Sequence, residues 1–249
     1  MLTRMGYYNY QNGIIYHHIN QEGGWENHLE HCRRFIIRAL DFYNPEKVTV
    51  LGSGWLLDFP LAELIERKIE ICLVDIVHPP DVINQVRCYK NVELIEQDVT
   101  GGLIEEVWGK DRDRLFFNRF KTLKNINIPE YKPEGDPGMI ISLNILTQLE
   151  VLPVKFIKKW SGRKVEELNL FRAEIQKQHV NFLMRHRSLL ITDYEEIITS
   201  RAGDTKKNPT IFTDLPPCRF REEWTWNFDQ SGNELYNSRS LFKIVALLN

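Results

Sequence analysis

Apolar positions follow two different periods along this chain. Trp25, Leu29, Cys32 and Ile36 are spaced by three or four residues, which places them on one face of a helix. That helix is predicted to end at Asn44, because the proline that follows disfavours helical geometry in the residue before it. Other segments are short apolar runs bounded by turn residues, and such runs are typical of buried strands.

Strands and helices alternate along most of the chain, and this order predicts a parallel sheet with helices on both faces. Two further strands close the chain around the turn residues Ser231-Gly232-Asn233, which predicts a terminal hairpin. The predicted fold is therefore α/β, a doubly wound, seven-stranded, mostly parallel sheet with a C-terminal antiparallel hairpin. The predicted strands cover residues 48–51, 69–75, 91–98, 139–144, 188–194, 219–228 and 238–248.

The chain divides into two predicted regions. Residues 45–249 carry the alternating pattern, and residues 1–44 are an N-terminal helical extension. Residues 1–24 are rich in tyrosine and histidine and show little periodicity, so they are interpreted as a lid or a poorly ordered arm. Prolines interrupt the helical pattern of residues 100–137, and the sequence predicts no role for that stretch.

Composition excludes several classes of protein. Of the 249 residues 43% are hydrophobic, which is enough for a packed core and excludes a disordered chain. The net charge is −2, so nucleic-acid binding is not indicated. No apolar run reaches the roughly 20 residues of a membrane span, and the first residues lack a signal-peptide core, so a cytoplasmic location is expected. The 4 cysteines form no CxxC pair and His17-His18 lacks partner ligands, so no metal is expected.

Three polar features fall at the ends of predicted strands. Gly52-Ser53-Gly54 follows the first strand, Asp75 ends the second, and Asp98 ends the third. In a doubly wound sheet ligands bind outside these strand ends. Glycines let a ligand approach the backbone, and carboxylates accept hydroxyl or amino protons. The alternatives are a tight structural turn and helix-capping aspartates. Together the three features favour a ligand that carries a nucleoside.

The type of nucleoside ligand follows from what the turn lacks. A dinucleotide site has the pattern GxGxxG, and here Leu57 stands in place of the third glycine. The terminal hairpin also fits a nicotinamide domain poorly. Instead, four segments resemble the motifs of class I S-adenosylmethionine-dependent methyltransferases, and the first two also resemble a group of uncharacterised bacterial proteins of this fold. The segments are VTVLGSGWLLDFPL, CLVDIVHPP, IEQDVTG and ISLNIL, and the two closing strands match the family's reversed last strand.

The resemblance implies a Rossmann-like fold with strand order 3-2-1-4-5-7-6 and S-adenosylmethionine as the cofactor. It implies that the glycine turn packs against the methionine part of the cofactor and that Asp75 binds the ribose. It places Asp98 near the adenine and the fourth strand beside the transferred methyl group. The cofactor-binding residues expected on this basis are Gly52, Ser53, Gly54, Asp75, Ile76, Asp98, Val99 and Asn144.

Trp25, His28 and Gln148 are candidates for the acceptor side of the site. Trp25 and His28 begin a helix that can cover the cofactor, and Gln148 follows the fourth strand. The alternative for His28 is a solvated surface histidine. No catalytic residue is predicted, since methyl transfer needs mainly alignment and exclusion of water. The acceptor, a small molecule or a protein, stays unknown. The rival functions are a non-catalytic member of the fold that binds a nucleoside ligand or a partner and, less favoured, a nicotinamide-dependent oxidoreductase.

Overall fold

The computed structural model describes residues 1–21, 23–112, 123–161, 165–232 and 238–249, so Asn233 of the predicted turn lies outside the described residues. The helices are α1 (Leu2–Met5), α2 (Tyr7–Asn20), α3 (Glu26–Tyr43), α4 (Leu61–Glu66), α5 (Pro80–Val86), α6 (Leu103–Arg112), α7 (Val151–Ser161) and α8 (Val165–Leu183), with a short 3-10 turn at Leu123–Asn125. The strands are β1 (Lys47–Leu51), β2 (Glu70–Asp75), β3 (Val92–Glu96), β4 (Met139–Leu143), β5 (Ser188–Ser200), β6 (Thr205–Pro209), β7 (Phe220–Asp229) and β8 (Ser238–Leu248). No helix within the described residues is long and apolar enough to cross a membrane.

The strands form one sheet in the order β3-β2-β1-β4-β5-β8-β7, with β6 paired to β5. The first five strands are parallel, and β8 runs antiparallel to both β5 and β7. This confirms the predicted doubly wound sheet and its closing hairpin. The strand order reverses between β1 and β4, and ligands of such sheets bind at that point.

The sheet has one strand more than predicted. β5 continues past residue 194 to Ser200, and β6 pairs with this extension where a polar loop was predicted. β6 is mostly exposed and contains Lys206 and Lys207, so it has no apolar alternation that would identify it in the sequence. Short charged edge strands of this kind discourage pairing with other chains.

Side chains alternate between two hydrophobic cores, one on each face of the sheet. In β2, Ile71 and Leu73 pack with the helices α3, α4 and α5, whereas Cys72 and Val74 pack with α6, α7 and α8. This follows from the period of two along a strand. Pro153 lies in the first turn of α7, where the missing N–H has no helical partner to lose.

The N-terminal segment is helical. Residues 2–20 form α1 and α2, although the sequence showed no clear period there. Gly6 joins the two helices with φ 96°, a left-handed conformation that glycine adopts freely. α3 begins directly after Trp25 and ends at Asn44, as predicted. The boundary between an extension and a separate domain at residue 44 stays a prediction.

Candidate functional site

A cavity of about 140 Å³ lies at the carboxyl ends of β1, β2 and β4. α2 and the start of α3 cover it, and β7 contributes Trp226 to its wall. Every cofactor-side and acceptor-side residue predicted from the sequence lines this one cavity. These residues are Trp25, His28, Gly52, Ser53, Gly54, Asp75, Ile76, Asp98, Val99, Asn144 and Gln148.

Glycine occupies the two positions of the turn for different structural reasons. At Gly52 a Cβ atom would lie 2.7 Å from Cβ of Ile145, and φ is 79°, so the fold itself requires glycine there. At Gly54 φ is 49° and the nearest atom to an added Cβ is 3.9 Å away, so the space above it is open. Gly54 is therefore the position where a ligand has room to approach the backbone.

The backbone N–H groups of the turn are already hydrogen-bonded. Gly52 and Ser53 both donate to the carbonyl of Val74, at 2.9 and 3.3 Å. Gly54 donates to Oδ2 of Asp75 at 2.8 Å. These N–H groups are therefore not free to bind an anionic group in this conformation, because they connect β1 to β2. The turn contributes open space rather than free donors.

Asp75 lies at the floor of the cavity and is only 5% exposed. Besides Gly54, it accepts the N–H of Ile76 at 2.7 Å and the side-chain amide of Gln11 at 3.3 Å, both through Oδ1. Burial raises the pKa of this carboxyl group above its ordinary value, and the hydrogen bonds from Gly54 and Ile76 oppose the shift. Gln11 comes from α2, so the covering helix directly contacts the predicted ribose-binding carboxylate.

Asp98 serves as a helix cap. Its carboxylate accepts the N–H groups of Thr100, Gly102 and Ile104 at 2.8, 3.2 and 3.2 Å. These groups lie at the start of α6, where backbone donors lack helical partners. The capping alternative therefore accounts for the Asp98 side chain, although the residue also lines the cavity beside Val99.

A hydrogen-bonded cluster joins α3 to the end of β4. His28 and Cys32 are 1% and 0% exposed, so the solvated alternative for His28 is wrong. Asn144 Nδ2 donates to Oδ2 of Asp58 at 2.6 Å and lies 3.2 Å from Nε2 of His28. Burial raises the pKa of Asp58 and lowers the pKa of His28 to about 3. Burial thus favours the neutral form of both His28 and Asp58, and their contacts fix the Asn144 side chain beside the cavity.

The donor atoms of His28, Cys32 and Asp58 lie within 4.8 Å of one another, which is the spacing of a metal site. However, the indole N–H of Trp224 donates to Nδ1 of His28 at 3.1 Å. An indole nitrogen only donates, so Nδ1 carries the lone pair and Nε2 of the neutral ring carries the proton. The nitrogen that faces Cys32 and Asn144 therefore has no lone pair for a metal in this arrangement.

Aromatic side chains form the wall opposite the glycine turn. The rings of His28 and Trp226 stack with centroids 4.0 Å apart, and Trp25 meets Trp226 edge-on at 4.7 Å. The indole N–H of Trp25 donates to the carbonyl of Phe228 at 3.0 Å. These contacts attach the start of α3 to β7 and produce a continuous aromatic surface on the acceptor side.

The strand order and the strand-end cavity together identify the architecture. The fold is Rossmann-like. No family model matches the chain, and no curated protein matches it. A search of solved structures finds the Burkholderia thailandensis 1,6-didemethyltoxoflavin-N1-methyltransferase with bound 1,6-didemethyltoxoflavin and S-adenosylhomocysteine. That match has 10% identity and a TM-score of 0.40, and it covers 88% of this chain and 78% of the other.

Sequence reasoning missed several residues of the cavity. Asp58 lines the cavity and was not predicted as a site residue. Tyr10, Gln11 and Trp226 also line the cavity without having been predicted. Tyr10 and Gln11 lie in the segment that showed no periodicity. The alternation of apolar and polar residues along β7 does not indicate which of them lines a cavity, so Trp226 could not be identified.

Proposed function

We propose that this protein is an S-adenosylmethionine-dependent methyltransferase whose acceptor is not identified. The observation that carries the proposal is the hydrogen bond between Gly54 and Asp75 inside a covered cavity at the sheet's reversal point. It joins an open glycine position to a buried carboxylate, the two features that the resemblance assigns to the methionine and ribose parts of the cofactor. The topology supports this choice, because ligands bind at that point of doubly wound sheets.

The residues present fit such a cofactor in two respects. An added Cβ at Gly54 would occupy open space, so a ligand can fill it without a clash. Ser53 Oγ and Gln11 Oε1 are buried side-chain atoms without hydrogen-bond partners, and both residues line the cavity. Buried polar atoms are normally hydrogen-bonded, so unpartnered ones beside a cavity favour a polar ligand.

The side chains of this protein would bind and align the cofactor and the acceptor, and none of them would react covalently. Each oxygen of Asp75 already accepts one backbone N–H and has capacity for a ribose hydroxyl. When bound, S-adenosylmethionine would supply an electrophilic methyl group to a lone pair of the acceptor, with the carbon–sulfur electrons remaining on sulfur and any acceptor proton passing to solvent after the transfer. The covering helix α2 and the aromatic wall would exclude water from this step.

The cavity is narrow and partly covered in this conformation. Its 140 Å³ is below the roughly 300–1,000 Å³ of pockets that hold small molecules. Gln11 also occupies one oxygen of Asp75. Binding of a nucleoside therefore requires that Gln11 leave Asp75 and that α2 move away from the cavity. Residues 1–24 would act as a lid in this mechanism.

Isothermal calorimetry with S-adenosylhomocysteine, S-adenosylmethionine and NAD tests the proposal. We expect both sulfur compounds to bind with micromolar dissociation constants and NAD not to bind. Saturable binding of NAD alone would refute the methyltransferase proposal. Binding of the sulfur compounds without release of S-adenosylhomocysteine over a wide acceptor panel would support the rival function, a non-catalytic binder.

A further inference from the structure

We propose that the acceptor side of the cavity binds a small, uncharged, flat aromatic molecule. Its place beside a transferred methyl group rests on the proposed function, but the binding itself can be measured without any cofactor. Four observations carry the inference: the covering of the cavity, the charges of its lining, its aromatic wall, and a buried N–H donor that lacks a partner.

Enclosure limits the size of the acceptor. Trp55 donates its indole N–H to the carbonyl of Gln11 at 2.9 Å, which ties α2 to the glycine turn. At the other end of α2, His17 lies within hydrogen-bond distance of the Phe228 carbonyl, at 3.0 Å. The lid is therefore fixed to both sides of the cavity mouth. A mouth covered on both sides favours a small molecule over a polypeptide or nucleic-acid strand.

The lining lacks positive charge. Among the described residues that line the cavity there is no lysine and no arginine. The acidic lining residues are Asp58, Asp75 and Asp98, and His28 is held neutral by burial. A phosphate or carboxylate on the acceptor would therefore lose its hydration without gaining a counter-charge, which costs several kcal/mol. Asp75 and Asp98 already accept backbone N–H groups, and burial favours the protonated form of Asp58. Anionic acceptors are disfavoured, and Asp75, whose oxygens have capacity for a further donor, is assigned to the ribose and not to the acceptor.

Aromatic and aliphatic surface dominates the acceptor side. Trp25 and Leu29 from α3, Trp226 from β7 and Tyr10 from α2 line this part of the cavity. The Trp25 ring is fixed on Phe228 and Trp226, so the wall is rigid. Rigid aromatic walls favour a flat ring system, which packs against them edge-on or face-on.

One unpartnered polar atom defines how such a ring would be oriented. Trp226 Nε1 is a buried donor without an acceptor. The Asn144 amide is already engaged by Asp58 and His28, at 2.6 and 3.2 Å, so Trp226 is the group that remains for a ligand. A flat molecule with a ring nitrogen acceptor would satisfy the Trp226 donor.

The test uses 7-azaindole, which is flat and uncharged and carries a ring nitrogen acceptor. We measure its binding by ligand-observed NMR, with and without S-adenosylhomocysteine, beside 7-azaindole-3-carboxylate as the charged analogue. We expect 7-azaindole to bind at low millimolar concentration or better and the carboxylate to bind at least 10-fold more weakly. Trp226→Phe keeps the ring and removes the donor, so it should weaken 7-azaindole binding by about 3- to 10-fold.

Trp108→Phe is the matched control, because Trp108 packs on Phe156 away from the cavity lining, and it should leave 7-azaindole binding unchanged. Equal binding of the carboxylate, no binding of 7-azaindole, or equal loss in both variants would overturn the acceptor proposal. S-adenosylhomocysteine binding without 7-azaindole binding refutes only this inference. The converse result refutes the cofactor proposal and leaves the aromatic pocket standing.

Discussion

Asp75→Asn is the substitution that most directly tests the proposed cofactor site. The side chain keeps its shape but loses its charge and one of its two acceptor oxygens. In the structure Oδ2 accepts Gly54 N–H at 2.8 Å and Oδ1 accepts Ile76 N–H at 2.7 Å. An asparagine can accept only one of these, and it offers only one oxygen to a ribose. The variant therefore perturbs the ligand contact and the turn together, and both effects need to be measured.

The expected magnitudes differ for folding and for binding. A hydrogen bond to a charged group contributes roughly 1.5–3 kcal/mol, and the variant loses one such bond within the fold. Burial raises the pKa of Asp75, so removing its charge offsets part of that loss. We expect the free energy of unfolding to change by less than about 2 kcal/mol. The ribose also loses one charge-assisted bond without any offset, so affinity should fall about 10- to 100-fold.

Calorimetry with S-adenosylhomocysteine measures the affinity, and thermal unfolding measures the stability. Asp81→Asn on the exposed face of α5 is the control, because it makes the same chemical change away from the cavity. Affinity within two-fold of the native protein, in a variant that is folded, would show that the ribose does not bind at Asp75. A loss of affinity that parallels unfolding would show only that the turn had been disrupted.

Four further substitutions have expected results. Gly54→Ala should abolish S-adenosylhomocysteine binding in calorimetry with a small fall in Tm from its positive φ, whereas Gly52→Ala should lower Tm more because its Cβ would also lie 2.7 Å from Ile145. Burial raises the pKa of Glu150 from 4.5 to about 8. The folded state therefore binds more protons than the unfolded state between these values, and stability falls as pH rises through them. Glu150→Gln should raise Tm near pH 9 more than near pH 5, and an equal change at both would contradict this. Gln11→Ala should raise S-adenosylhomocysteine affinity about 2- to 10-fold by freeing Asp75, and weaker binding would mean that Gln11 helps to hold the ligand.

The strands of the sheet's centre were predictable because they are buried on both faces. β1, β2 and β4 are mostly apolar runs, and a short apolar run bounded by turn residues is rarely anything other than a buried strand. The features at their ends, Gly52 to Gly54 and Asp75, could then be placed in one site from topology alone. The sequence order of parallel strands is sufficient for that inference.

The lid and the Asn144 cluster were not predictable for a physical reason. α2 uses tyrosine, glutamine and histidine to contact the cavity and β7, so it has no apolar stripe that a period of 3.6 would reveal. Asp58 and Asn144 are 86 residues apart and meet only after the sheet has formed. A single sequence gives no signal for such a pair. The role of Asp98 could not be predicted either, because an aspartate a few residues before α6 can cap that helix or contact a ligand.

The glycine turn has a consequence for the order of events in binding. Gly52, Leu56 and Gly54 all have positive φ, and the N–H groups of Gly52 and Ser53 are bound to β2, so the turn already has one fixed shape. The covering helix is held at its ends by a few hydrogen bonds instead. Opening should therefore be confined to α2, and its amides should exchange with solvent faster than those of the turn. At high ligand concentration the association rate should then level off at the rate at which the helix lifts, a value set by the protein and not by the ligand.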